Sequence, residues 1–165
     1  MQYFETYNSP LGDITLAADD IGLTGLWFVG QKHYARTLGK ECEQRETEII
    51  SAARRWLDEY FCGKQPKTAV PLHLSGTDYQ QEVWEILRQI PYGQTITYGD
   101  IAREIAKRHG KASISSQAVG NAVGRNPISI IVPCHRVIGA NSNLTGYAGG
   151  IDRKKTLLRM EGIVI

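Results

Sequence analysis

The chain lacks the features that mark several large classes of protein. None of its apolar stretches approaches the length of a membrane span, although 42% of its 165 residues are hydrophobic. Met1 leads into the polar-alternating segment Gln2–Tyr7 rather than into a basic start followed by an apolar stretch, so no secretory signal is visible. We therefore expect a cytoplasmic protein with no membrane partner.

Cysteine is also scarce. There are three cysteines, an odd number, and no pair has C-x-x-C spacing, which argues against a disulfide framework or a zinc ribbon. Cys42 and Cys62 could meet His33 and His73 as a metal site, but their spacings fit no known template. We expect Cys62, at the end of an amphipathic helix, to be a packing residue.

The net charge of the chain is small, but the charged residues are distributed unevenly along it. The formal net charge is +2. Residues 77–165 contain 11 Lys and Arg against 7 Asp and Glu, whereas residues 1–76 contain 8 against 10. A basic C-terminal half is typical of a domain that meets a polyanion. The alternative is an unevenly charged, solvated surface.

The N-terminal part has the pattern of a small antiparallel sheet followed by a helix. The polar residues 31–46 indicate no element, and Lys64–Thr68 has the composition of a linker. Strand-like and helix-like stretches predict the following elements: strands at Gln2–Tyr7, Asp13–Ala18, Leu23–Val29 and Val70–Leu74, turns at Ser9–Gly12 and Asp19–Gly22, and a helix at Thr47–Phe61.

From Thr77 onward the pattern becomes helical. Thr77–Gln80 matches a capping box, and the apolar spacing that follows predicts a helix ending before Pro91. Two further helices, at Tyr98–Arg108 and Ser116–Gly124, are joined by a polar loop. The second has small residues on one side, so the pair is typical of a helix-turn-helix. Many other helix pairs share this pattern.

The most informative segment is Pro133-Cys134-His135-Arg136. It follows Ile128–Val132, a stretch rich in β-branched residues that we expect to be buried, and precedes the glycine-rich loop Gly139–Gly150 and a final helix at Asp152–Met160. A cysteine becomes nucleophilic when a neighbouring base or positive charge favours its thiolate, and His135 and Arg136 supply both. Taken alone, however, a cysteine beside a histidine is more often structural.

The segment Ile130–Gly139 resembles the active-site signature of the O6-alkylguanine-DNA alkyltransferases. Flanking residues fall at the spacing of that family, without gaps from Gln117 to Gly162, whereas residues 1–76 match it only loosely. The flanking matches are Asn126-Pro127, Gly146-Tyr147-Ala148-Gly149-Gly150 and Leu157-Leu158-Arg159-Met160-Glu161-Gly162.

The resemblance implies a catalytic set. Cys134 would accept the alkyl group in a single displacement, His135 would remove the thiol proton through a water molecule, and Glu161 would orient and polarise the imidazole. Asn126 would tie the recognition helix to the active-site segment. Arg136 would be held in buried polar contacts without reacting.

The resemblance also implies a substrate pocket. Tyr98 would donate a hydrogen bond to N3 of the base, and the amide of Ala148 would face O6. The carbonyls of Cys134 and Val137 would bind the exocyclic amine, and Tyr147 would belong to the same pocket. No metal or organic cofactor is implied.

The helix Ser116–Gly124 would enter the minor groove while the damaged base rotates out of the duplex. Ser116, Ala118, Gly120 and Arg125 would contact DNA, and Arg125 and Lys111 would attract phosphates. The sequence departs from the family at Gln117, where an arginine normally fills the gap left by the rotated base. Gln117 is either an uncharged wedge or an ordinary exposed helix residue.

The resemblance implies an α/β protein with two domains: a ribonuclease-H-like domain at 1–76 and a winged-helix-like domain with a helix-turn-helix at 77–165. We expect a monomer that repairs double-stranded DNA containing alkylated bases, O6-alkylguanine and possibly O4-alkylthymine. The main alternative is a module that recognises alkylated bases without repairing them, although relatives of that kind lack the reactive cysteine. A cysteine hydrolase and a transcription regulator are further alternatives with less support.

Overall fold

The computed structural model of the protein describes all residues from Met1 to Ile165 and divides into two compact units. The first contains Met1–Ser75 with Pro127–Ser129, and the second contains Gly76–Asn126 with Ile130–Ile165. The first unit is built on a sheet, and the second is mainly helical. The predicted α/β class is confirmed. None of the helices is long and apolar enough to cross a membrane.

A four-stranded sheet forms the first unit. Its spatial order is β3-β2-β1-β4, with β1 and β4 parallel and the other pairs antiparallel. The strands are β1 (Gln2–Ser9), β2 (Gly12–Ala18), β3 (Leu23–Phe28) and β4 (Cys42–Gln44). The predicted meander is thus confirmed, and β4 is an additional strand in a segment where the sequence indicates no element.

Local turn chemistry sets the register of the meander. Gly12 has a φ of 116°, which glycine adopts without steric cost, and Ser9 Oγ accepts a hydrogen bond from Leu11 N at 3.1 Å. Asp19 Oδ1 accepts hydrogen bonds from the amides of Ile21 and Gly22 at 2.9 and 3.0 Å. Both turns therefore satisfy their own backbone groups and bring successive strands together.

Helix α1 (Glu48–Phe61) follows the sheet. Thr47 caps it by accepting a hydrogen bond from Ile50 N at 3.2 Å, and its apolar face, which includes Leu57 and Tyr60, is buried. Cys62 ends the helix but is exposed. The prediction that Cys62 packs in the interior is wrong, because it lies one position beyond the last turn.

The predicted strand at Val70–Leu74 does not form. Only Leu72 makes an isolated bridge, to Leu23, in which Leu23 N donates to Pro71 O at 2.7 Å and His73 N donates to Leu23 O at 2.8 Å. Pro71 has no amide proton, so the segment cannot extend the pairing into a ladder.

The second unit contains four helices and a short parallel strand pair. Capping boxes start two of the helices, at Thr77 and Thr97, and Trp84 Nε1 donates to Ala122 O at 2.9 Å, joining the first helix to the third. The elements are α2 (Asp78–Arg88), β5 (Ile96–Thr97), α3 (Tyr98–Arg108), α4 (Ser116–Gly124), β6 (Val137–Ile138) and α5 (Ile151–Met160). The predicted helices of the helix-turn-helix are confirmed as α3 and α4.

The segment before the cysteine is buried, as predicted, except for the partly exposed Ile131. It is a turn rather than a strand. Ile128 makes one bridge to Leu26, and Ile130 then has a φ of 69°, a strained conformation for a β-branched residue. Complete burial of the Ile130 side chain offsets this strain.

Candidate active site

Cys134 lies in a single 3-10 turn, Cys134–Arg136, between Pro133 and β6. Arg136 N donates to Pro133 O at 3.0 Å, and Val137 N donates to Cys134 O. All three residues of the turn are buried. The turn therefore holds the cysteine and histidine in one fixed arrangement within the interior of the second unit.

Glu161 joins two residues of that turn from the end of α5. Its Oε2 lies 2.5 Å from His135 Nε2, and its Oε1 accepts hydrogen bonds from Arg136 Nε at 2.7 Å and Gly93 N at 3.1 Å. The side chains of His135 and Glu161 are fully buried. A buried carboxylate with these donors is well compensated.

The environment fixes the protonation of this pair. Burial opposes ionisation of Glu161, but the hydrogen bonds from His135 and Arg136 outweigh it and lower its pKa to about 2. Burial lowers the pKa of His135 despite the nearby carboxylate. At neutral pH the imidazole is therefore neutral. With Nε2 donating to Glu161, its lone pair lies on Nδ1, and that nitrogen is available to accept a proton.

The Cys134 thiol is recessed, and 6% of the residue remains exposed. Burial raises the pKa of this thiol, while a hydrogen bond from the Asn126 side chain and the positive charge of Lys154 act in the opposite direction. The resting cysteine is therefore a protonated thiol. Such a thiol needs a base to become a nucleophile.

Asn126 follows Arg125, the C-cap residue of α4, and it is buried. Its Nδ2 donates to Val132 O at 2.8 Å. The side chain thus ties the end of α4 to the backbone just before Cys134, in agreement with the sequence-based expectation. Arg136 also fits its expected structural role, because its Nη1 donates to Ile90 O at 2.8 Å.

Lys154 is a site residue that the sequence reasoning missed. It is completely buried, and its Nζ donates to the carbonyls of Val137 at 2.6 Å, Thr145 at 3.0 Å and Gly146 at 3.4 Å. Burial lowers its pKa to about 8, and the charge of Cys134 partly opposes that change. The available signal was spacing: Lys154 lies three and four residues before the buried Leu157 and Leu158, on the apolar face of α5.

The four residues assigned to the substrate pocket lie in three elements. Tyr98 begins α3, and its hydroxyl is 3.4 Å from the carbonyls of Thr145 and Gly146. Val137 is buried in β6, and its carbonyl already accepts a hydrogen bond from Lys154. Tyr147 and Ala148 are partly exposed in the loop before α5. The carbonyls of Thr145 and Gly146 contact both the Tyr98 hydroxyl and Lys154 Nζ, and Lys154 also donates to Val137.

The residues assigned to DNA contact are distributed along α4. Ser116, Gln117 and Ala118 form the exposed first turn, and Arg125 is exposed at the C-terminal end. Gly120 is partly exposed on the side that faces the Tyr98 ring. The opposite face, with Val119, Ala122 and Val123, is buried. The outer surface of α4 can therefore approach a partner closely.

No group of three or more His, Cys, Asp or Glu side chains is placed to hold a metal ion. The alternative metal site of the first unit does not form. His73 instead places its Nδ1 2.5 Å from Asp19 Oδ2.

Comparison with known families identifies both parts of the chain. Residues 78–163 match the DNA binding domain of 6-O-methylguanine DNA methyltransferase, and residues 2–74 match its ribonuclease-like domain. The chain belongs to the 6-O-methylguanine DNA methyltransferase family. The expected family is thereby confirmed, including for the N-terminal part, where the sequence resemblance was loose.

Individual relatives of this methyltransferase family match almost the whole chain. A methylated-DNA–protein-cysteine methyltransferase of Methanosarcina acetivorans is 45% identical over 160 residues, which cover 97% of this chain and 98% of the relative. The Mycobacterium tuberculosis O6-methylguanine methyltransferase structure has a TM-score of 0.82 at 45% identity, covering 98% and 93% of the two chains. A structure of Mycobacterium tuberculosis OGT in complex with DNA has a TM-score of 0.82 at 43% identity, covering 96% and 92%.

Proposed function

We propose that this methyltransferase repairs DNA by moving the alkyl group of an O6-alkylguanine onto Cys134. The observation that carries the proposal is the buried chain in which Glu161 binds His135 at 2.5 Å directly beside the cysteine in sequence. Family membership and the relative in complex with DNA support the assignment of DNA as the substrate.

The reaction is a single displacement. His135 Nδ1 takes the proton of the Cys134 thiol, directly or through a water molecule, and the sulfur attacks the alkyl carbon. The carbon–O6 bond breaks, and its electron pair passes into the guanine ring. The proton lost by the thiol is finally returned to guanine, so the products are a thioether and an unmodified base.

Stabilisation of the leaving guanine falls to residues around the cysteine. The Tyr98 hydroxyl would exchange its long contacts with the loop carbonyls for a hydrogen bond to the base. The Val137 carbonyl would bind the exocyclic amine through its second lone pair, since Lys154 uses the first. The Ala148 amide would face O6, and Tyr147 would complete the pocket.

Lys154 contributes charge to this step. Its ammonium lies 5.9 Å from the centre of the Tyr98 ring and interacts with Cys134 electrostatically. When His135 removes the proton of Cys134, the buried ammonium of Lys154 would stabilise the resulting thiolate. Asn126 would add a hydrogen bond to the sulfur.

The thioether is stable in water, so one protein molecule would repair one base. The target base must leave the duplex to reach a recessed thiol, and the small, exposed surface of α4 suits close approach to the minor groove. We also propose that the protein acts as a monomer, since neither an apolar heptad nor a second interface pattern is visible in the sequence. We expect it to act in the cytoplasm.

Peptide mass spectrometry after incubation with a duplex carrying one O6-methylguanine tests the proposal. We expect one methyl group on the Cys134 peptide and no further activity after one equivalent. The exposed Cys62 is an internal control, because indiscriminate thiol alkylation would modify it first. The variant Cys134→Ser should bind the duplex without transfer.

Two results would contradict the proposal in different ways. Binding of the methylated duplex with no transfer by the wild-type protein would favour the recognition module. Repeated turnover on the same duplex would favour a hydrolase that regenerates Cys134.

A further inference from the structure

A cavity of about 340 Å³ lies between α3 and the segment that leads into α4. One side is a single helical face of α3, in which Ala102 and Ala106 form a floor of small side chains. The other side is formed by Lys111–Ile114 and Ser116. Two serines, Ser113 and Ser116, are among the residues on this second side.

The charged side chains that line this cavity are all cations. They are Arg103, Lys107 and Lys111, and we call them the cavity cations. Lys107 and Lys111 form no ion pair. Arg103 pairs with Asp100 through Nη2, but its side chain is 73% exposed, and a guanidinium has N–H groups left for a second acceptor.

The basic residues at the C-terminal end of α3 have acidic partners. Arg108 lies 3.2 Å from Glu104 and within 4.0 Å of Glu82 and Glu85, and His109 lies 2.9 Å from Glu82. Acidic side chains therefore compensate the basic groups on that side of the helix. Lys107 and Lys111 have no acidic partner, and the cavity that they line with Arg103 offers an anion several donors at once.

We propose that the cavity cations bind a backbone phosphate of the DNA duplex that this protein repairs. This inference rests on the proposed function. Ser116 lines the cavity, and the next residue is Gln117, on the exposed first turn of α4. Since Gln117 carries no charge, the cavity supplies the electrostatic attraction beside the helix that approaches the bases.

The test is the salt dependence of binding to an undamaged duplex, measured by fluorescence anisotropy. The variant is Arg103→Gln/Lys107→Gln/Lys111→Gln. Its matched control is Lys32→Gln/Lys64→Gln/Arg88→Gln, which removes the same residue types from exposed positions outside the cavity. The double variant Lys107→Gln/Lys111→Gln leaves the Arg103–Asp100 pair intact and should change binding in the same direction.

For one lost phosphate contact, we expect Kd to rise about tenfold at 0.1 M salt and the slope of log K against log salt to fall by about 1. The control should match the wild type in slope, and all variants should react with free O6-benzylguanine at the wild-type rate. Equal weakening of the variant and the control, or an unchanged slope in the variant, would overturn the phosphate site while leaving the proposed function in place.

Two further outcomes separate the alternatives. Saturable binding of inorganic phosphate together with unchanged duplex affinity in the variant would indicate a free anion and overturn the inference. Failure of the wild-type protein to take a methyl group from O6-methylguanine would instead refute the proposed function. The two tests are independent, because binding is measured on an undamaged duplex, on which no alkyl transfer occurs.

Discussion

Replacing Glu161 with glutamine tests how the buried carboxylate supports the reaction. The carboxylate oxygen Oε1 faces two donors, Arg136 Nε and Gly93 N, so the amide oxygen of Glu161→Gln should take that position. The amide NH₂ then faces His135 Nε2, which must become an acceptor. The imidazole proton moves to Nδ1, and the nitrogen that should deprotonate Cys134 no longer has its lone pair.

Both activity and stability should change by predictable amounts. Loss of general-base catalysis through the wrong tautomer should slow alkyl transfer by about 10²- to 10⁴-fold. The pKa of Glu161 falls from 4.5 to about 2, which corresponds to roughly 3 kcal/mol of stabilisation by the ionised carboxylate. Because the folded-state pKa is lowered, this stabilisation is complete above pH 4.5 and is lost as the pH falls toward 2.

Single-turnover kinetics with free O6-benzylguanine and chemical denaturation between pH 3 and 7 measure the two effects separately. The matched control is Glu82→Gln, which removes a carboxylate that also contacts a histidine, His109, but at the surface. We expect the control to react at the wild-type rate. A Glu161→Gln protein that is folded and transfers at the wild-type rate would refute the assigned role, as would a stability difference from the wild type that persists unchanged at pH 3.

Three other perturbations give distinct results. The rate of alkyl transfer should be highest at a pH between the lowered pKa of His135 and the pKa of Lys154, which is about 8, and should fall above pH 8 as Lys154 loses its charge. In stopped-flow assays the variant Lys154→Met should react more slowly than the wild type and should show no decline at alkaline pH. An unchanged pH profile in this variant would exclude a role of the Lys154 charge in the transfer step. Gln117→Arg should tighten binding or speed reaction on duplex DNA without changing reaction with free O6-benzylguanine, and equal effects on both substrates would show that residue 117 is not the wedge. Asn126→Ala leaves the buried Val132 carbonyl without its 2.8 Å donor, which should cost about 1–3 kcal/mol and lower Tm by roughly 5 °C in calorimetry; a Tm equal to that of the wild type would contradict the proposed tie.

The sequence predicted those elements whose causes lie within a few residues along the chain. The capping box at Thr77, the apolar spacing of α2 and α3, and the turn at Ser9–Gly12 depend on neighbours three or four positions away, and each forms as expected. The segment around Cys134 could be located through its resemblance to a family, because its motif is short and its flanking residues keep the spacing of that family.

Pairing between distant segments could not be predicted in this way. The strand expected at Val70–Leu74 is reduced to one bridge, and β4 forms where the sequence pattern is weak, because in both places the partner strand decides whether backbone groups are satisfied. Cysteine is a residue type that is usually buried, but Cys62 is exposed because α1 ends just before it.

For the site, the sequence determined which groups are present, and only the tertiary structure decided their chemical state. His135 and Glu161 are 26 residues apart, yet contact at 2.5 Å within the interior, and Lys154 is buried against carbonyls from two other segments. Protonation depends on every charge and dipole packed around a group and on the water removed from it. That environment exists only once the chain has folded.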